Sequence, residues 1–201
     1  MHTTSLRTYE GLLYLVGFIG SIWFANWLVT HWGTVRFGDG PWLISVWPGG
    51  LTPSGSSIYA PSGVLAIGLG FTLRDLVQRR LGVKVTVLAI VTGALLSAAL
   101  DPSLALASGV AFLLAETLDL IVYTPLQRRH LLAAVVASNT VGVVVDSIVF
   151  LTIAFGSLSL LQGQVIGKAW ITLVAIPVVY AIREWDRKRG LLPFDVEPHV
   201  I

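Results

Sequence analysis

Six charged side chains fall inside apolar stretches of this chain: Arg74, Asp75, Glu116, Asp119, Asp146 and Lys168. A charge at the centre of a membrane-spanning helix costs about 2.5–3.5 kcal/mol on insertion scales, so such residues face a protein interior or a watery cavity, where binding and transport take place. Carboxylates placed there accept N–H donors or protons, and a guanidinium or ammonium beside them balances charge. Their spacing indicates which could cooperate. Ser108, Phe112, Glu116, Asp119 and Tyr123 recur at three or four residues and make one helix face. Asn139, Gly142 and Asp146 do the same on the next apolar stretch, Gln164, Lys168 and Thr172 on the last, and Arg74 shares a face with Gln78, with Asp75 beside it.

Structural roles compete with functional ones at several of these positions. Arg74 and Asp75 lie near the end of their stretch and could snorkel or pair with each other. Lys168 could snorkel as well, or neutralise Asp146. Asn139 could make an interhelical hydrogen bond or touch a ligand. Glu116 and Asp146 fall near mid-span and cannot reach an interface, so function is expected of both. Gly63, Gly68, Gly70, Gly93, Gly109 and Gly142 are expected to permit close helix packing. No histidine lies within an apolar stretch, and G-x-G-D, H-E-x-x-H, a P-loop and D-x-x-D-G are all absent. Neither an enzyme nor a cofactor or metal site is therefore expected, and movement of a solute across a membrane is the better class.

The elements that must hold these residues are membrane helices. Of 201 residues, 55% are hydrophobic and 12% charged, about half the charged share of roughly 25% in a soluble domain. Mean hydropathy is +0.80. A soluble core of this size could not cover that apolar surface with so few charges, which excludes a soluble enzyme, a disordered chain and a nucleic-acid-binding domain. A bilayer core takes about 20 helical residues, and six segments fit: 12–30, 58–77, 85–100, 103–126, 131–155 and 165–182. The first is too long for a signal-peptide core and lacks an A-x-A site, so it is expected to be a permanent span. Asp101-Pro102 makes the third and fourth a tight hairpin. The predicted fold class is an all-α integral membrane protein, a bundle of six transmembrane helices in one domain.

Lysine and arginine set the orientation. The side shared by both termini carries Arg7, Arg79, Arg80, Lys84, Arg128, Arg129, Arg183, Arg187, Lys188 and Arg189, while the other carries Arg36 alone. Both termini are thus expected in the cytoplasm (N-in/C-in), and the basic balance, with a pI near 9.2, is a topology signal that needs no nucleic acid as partner. The 31–57 connection is expected to be a long external loop, whose Trp32, Trp42 and Trp47 join Trp23, Trp27 and Trp170 in an interfacial belt facing membrane lipids. A lid over an external entrance is the alternative. The tail, 190–201, is expected to be cytoplasmic. No cysteine is present, so there is no disulfide framework.

Several stretches resemble the vitamin uptake / queuosine precursor transporter family. They are FTLRDLVQRRLG at 71–82, AFLLAETLDLIVYTPL at 111–126, SNTVGVVVDSIVFL at 138–151 and GQVIGK at 163–168. They occur in the family's order over about 60–182, and Asn26 looks like the polar position of its first helix. The resemblance implies an importer in a bacterial inner membrane, carrying 7-cyano- and 7-aminomethyl-7-deazaguanine. On that reading Glu116, then Asp119, accepts the paired N–H donors of a purine-like edge. Asn139 meets the ring carbonyl, Asp146 and Lys168 form a disturbable charge pair, and Phe112, Tyr123 or Trp27 stacks on the base. Arg74, Asp75 and Asn26 complete the implied substrate site. Proton coupling is permitted, and neither oligomeric state nor an energising partner can be read. The alternatives are a substrate-binding component or carrier for another flat, vitamin-like molecule, and a non-transporting membrane scaffold.

Overall fold

The computed structural model describes residues 2–52, 54–100 and 105–191, without the side chains of 2–5, 97, 98, 100, 105 and 108. The Asp101-Pro102 turn, the side chain of Ser108 and the tail beyond 191 lie outside that description. Five helices, α1 (His2–His31), α2 (Val64–Leu100), α3 (Ala105–Leu126), α4 (Leu131–Phe155) and α5 (Leu161–Arg189), carry most of the chain. Among the described residues four stretches, Leu6–His31, Gly109–Leu126, Leu131–Phe155 and Leu161–Arg189, are long and apolar enough to cross a membrane. Long runs of Leu, Val, Ile and Ala suit helices that keep every backbone polar group bonded within the segment.

The second and third expected spans are one continuous element, α2, interrupted at Gly82, whose φ of 82° and ψ of 172° are non-helical. Only glycine takes that conformation without strain. The break sits where Arg79, Arg80 and Lys84 crowd the sequence. Gly156 (φ 59°) and Gly190 (φ 66°) close α4 and α5 in the left-handed conformation.

Two sequence expectations are corrected. The 31–57 connection is not simply a loop, and helix does not begin at Ile58. Strands β1 (Val35–Arg36), β2 (Trp42–Trp47) and β3 (Ile58–Pro61) form an antiparallel sheet in that order, with a short 3-10 turn at Gly49–Leu51. Trp42-Leu-Ile-Ser-Val-Trp47 is rich in aromatic and β-branched residues and bounded by Pro41 and Pro48, which is a strand signal. Pro61 and Gly63 delay the helix, and Gly63 lies so close to α1 that a Cβ there would meet the Ala25 carbonyl oxygen at 2.7 Å.

The sheet is fixed to the start of α5. A Cβ on Gly163 would lie 1.9 Å from the Tyr59 carbonyl oxygen, so only glycine lets α5 approach β3 this closely. The β2–β3 register shifts between Ser45 and Trp47, and the Val46 carbonyl at that irregularity accepts the Trp170 indole N–H at 3.1 Å. Trp47 and Trp170 stack with centroids 5.6 Å apart. These two tryptophans join sheet to helix, a more specific task than interfacial anchoring. Among the helices α1 lies along α2 and α3 along α4, while α2 also touches α3, α4 and α5. Charged residues of α2 thereby reach the middle of the bundle.

Candidate functional site

Arg74 is the centre of the site. It is fully buried, as are Asp75 and Asp119, and Glu116 is 1% exposed. Its Nε donates to Glu116 Oε2 at 2.9 Å, its Nη1 lies 2.6 Å from Asp75 Oδ1, and its Nη2 meets Asp119 Oδ2. Its guanidinium carbon lies 5.7 Å from the centre of the Tyr123 ring, completing the packing with a cation–π contact. A guanidinium suits this position because its planar fork serves several carboxylates at once. Three carboxylates thus surround one cation at depth, an acidic excess that burial makes expensive unless positive charge or protons balance it.

α4 closes the site. Ser138 donates to Asp75 Oδ2 at 3.3 Å, and Asn139 Nδ2 donates to Thr72 Oγ1 at 3.3 Å. A Cβ on Gly142 would come within 3.3 Å of Asp119 Oδ2 and 3.1 Å of the Phe71 ring, so a small residue is what lets α4 approach the carboxylate. One turn further along the same stripe, Asp146 pairs with Lys168, whose ammonium also donates to Ser147 Oγ at 3.0 Å. Lys168 is 1% exposed, so it does not snorkel. Arg74 and Asp75 do not snorkel either; they pair with each other, and Arg74 also pairs with α3 and Asp75 with Ser138 of α4.

The structure therefore brings Arg74, Asp75, Glu116, Asp119 and Tyr123 into one cluster, sets Asn139 at its edge, and holds Asp146 and Lys168 as a neighbouring balanced pair. It does not bring in Asn26, whose Nδ2 donates to the Ile22 carbonyl of its own helix at 2.9 Å. Two of the aromatics offered for stacking are engaged elsewhere: Phe112 stacks on Phe18 at 6.0 Å, and Trp27, 41% exposed, stacks on His31 and Phe24. Ser138 and Thr72 escaped the sequence reading as site residues. Ser138 sat one residue before the Asn139–Gly142–Asp146 stripe, so helical spacing gave it no weight. A groove of about 260 Å³ runs between α4 and α5, lined mainly by valines and leucine with Asn139, Thr140 and Thr172.

A second network lies toward the Gly82 end. Asp186 of α5 takes Arg80 in a fork, with Nη1 at 3.0 Å and Nη2 at 2.7 Å, and takes Arg79 Nε at 2.8 Å. Glu10 of α1 joins Arg80 at 2.9 Å and Arg189 at 3.0 Å. Burial pulls the Arg80 guanidinium down, but hydrogen bonds and charge from Asp186 outweigh it and hold the group above its ordinary value. On sequence alone these arginines read as topology markers; Asp186, one of two acids with Glu184 among Arg183, Arg187, Lys188 and Arg189, is the available signal.

Residues 98–182 match the family model described as "Putative vitamin uptake transporter". This is the family that the sequence resembles. No curated protein and no solved structure matches the chain. The vitamin uptake transporter match covers Glu116, Asp119, Tyr123, Ser138, Asn139, Asp146 and Lys168, so α3, α4 and much of α5 carry both the family likeness and the buried polar site. The apolar helices suit a multi-pass membrane protein, and the likeness of residues 98–182 to a transporter family points to movement of a small molecule.

Proposed function

We propose that this protein imports 7-deazaguanine precursors of queuosine, the 7-cyano and 7-aminomethyl bases, across a bacterial inner membrane. In this reading α2 crosses twice about Gly82, giving six spans with both termini in the cytoplasm. The observation that carries the proposal is the excess of buried acceptors around Arg74. Asp75, Glu116 and Asp119 outnumber the single guanidinium, so the site favours a ligand rich in N–H donors, and a cationic one above all. A purine-like edge presents adjacent donors at its ring nitrogen and exocyclic amine, which a carboxylate such as Glu116 accepts in a fork. Asn139 is placed at the edge of that site, and Asp146 with Lys168 is a pair that ligand or proton could open.

The test is rescue in a bacterium that can neither make queuosine nor import its precursors. The chain is expressed, each 7-deazaguanine is supplied at low concentration, and queuosine in tRNA is scored by affinity-gel shift. Rescue by the intact chain, lost in Glu116→Gln and Asp146→Asn at equal membrane levels, is the expected result. Failure of the intact chain to rescue despite normal insertion would refute this cargo and favour another flat, vitamin-like one, in keeping with the family description. A scaffold would tolerate Glu116→Gln.

A further inference from the structure

Beyond the Arg74 cluster, buried polar atoms continue toward the Gly82 end in an ordered series. Contacts between α2 and α3 climb together: Arg74 meets Glu116 and Asp119, and one turn on Gln78 Nε2 donates to Thr124 Oγ1 at 3.0 Å. Along the same face of α3, at four-residue steps, come Asp119, Tyr123 and Gln127, none more than 3% exposed. The Tyr123 hydroxyl, Gln78 Oε1 and Gln127 Oε1 are all buried with no hydrogen-bond partner among the described residues. Orphaned buried polar atoms are rare and costly, and water is their usual partner where several converge. Two of the three are acceptors only, and the third can both donate and accept.

The charge balance of the cluster points the same way. From α2 come Arg74 and Asp75, and from α3 Glu116 and Asp119. The other charges packed nearby have partners of their own, Asp146 of α4 in Lys168 of α5, and Arg79 of α2 in Asp186 of α5, which it shares with Arg80. Fully ionised, the cluster would hold two uncompensated negative charges in a site closed to water, which is prohibitive. Protons on the carboxyl groups remove that charge.

We propose that the Arg74 cluster is a proton-coupling site, in which Asp75, Glu116 and Asp119 share two protons in the closed state, and that Tyr123 and Gln127 line the hydrated route by which a proton leaves toward the Gly82 end. This rests on the transport reading above and adds its energy source. On release, a carboxylic O–H bond breaks and leaves a carboxylate. Its proton passes to a water, the Tyr123 hydroxyl accepts one proton as it gives up its own, and a proton emerges past Gln127. Tyr123 ends unchanged, and each proton released is one that entered from the opposite face.

Infrared spectroscopy of the full chain in liposomes tests both halves. At neutral pH the expected spectrum has a protonated-carboxyl stretch that is reduced in Asp119→Asn and in Glu116→Gln and that shifts in D2O. In Tyr123→Phe that exchange should slow at least ~10-fold, as loss of a proton-transferring group does, while Val135→Ala, in the same apolar packing as Tyr123, leaves it unchanged. Absence of the band, or an unchanged exchange rate in Tyr123→Phe, would overturn the proposal. A transport arm separates it from the cargo reading. Labelled 7-aminomethyl-7-deazaguanine should accumulate above equilibrium when the outside is acidic. Counterflow of that base without such accumulation would overturn coupling and leave the cargo standing; no counterflow would sink the cargo, with the infrared result still deciding the proton site.

Discussion

Arg74 and Arg80 stand within two turns of each other on α2 and are almost equally buried, yet their surroundings are opposite in sign. Arg74 is outnumbered by Asp75, Glu116 and Asp119. Around Arg80, three guanidinium groups (Arg79, Arg80, Arg189) share two carboxylates, Glu10 and Asp186. The first network is deficient in positive charge and sits among helix faces that meet at mid-bundle. The second has its acids fully used, and it ties α1, α2 and α5 together beside the Gly82 break. Burial alone therefore does not separate the two networks; the sign of the charge imbalance does.

Removing the centre of the acidic network should have the largest effect. Arg74→Leu leaves three carboxylates buried around an apolar side chain, and breaking buried ion pairs from one side costs about 3–5 kcal/mol. The expected outcome is a large fall in membrane level and in the Tm of detergent-solubilised protein, with uptake lost. A variant as stable as the parent would mean that the carboxylates need no guanidinium, which would undo the contrast between the two networks.

A smaller loss is expected in the second network. Asp186→Asn removes the charged fork on Arg80 and the charged partner of Arg79, but Arg80 retains Glu10. Stability should fall by about 3 kcal/mol, the lower end for a buried pair, read again as Tm. Binding of 7-aminomethyl-7-deazaguanine, measured on the same preparation, should persist. Loss of binding at unchanged Tm would reverse the roles assigned to the two networks.

How much of this was legible follows from what each signal reports. Hydropathy and helical spacing located α1, α3, α4 and α5, and placed Glu116, Asp119 and Tyr123 on one face, because both depend on local sequence alone. The partner of that face did not follow from spacing: that Arg74 would turn inward instead of snorkelling depends on α2 crossing α3 at that height. The strands were missed because Pro41, Gly49, Gly50 and Pro61 read as loop punctuation, while the Trp42–Trp47 run between them carried the strand. Asp186 was missed because an acid inside a basic helix end looks like solvated surface until α2 is placed against it. Asn26 was carried in by likeness to a family position, and its side chain is satisfied on its own helix.

The Lys168–Asp146 pair lies between the two networks in kind, since one cation meets one carboxylate and neither sign is left over. Balanced buried pairs can be replaced by apolar groups of similar volume at little cost, whereas removing one partner strands the other. Lys168→Met with Asp146→Leu should therefore shift Tm by no more than a few degrees, although Ser147 loses the ammonium that donates to it. Either single variant should be less stable than the double. Uptake then separates two roles that stability cannot. If the pair is only a fastening between α4 and α5, the double variant transports like the parent. If the pair opens for ligand or proton, as proposed, the double variant inserts normally and transports nothing, because the apolar replacement holds the helices but offers no charge to release.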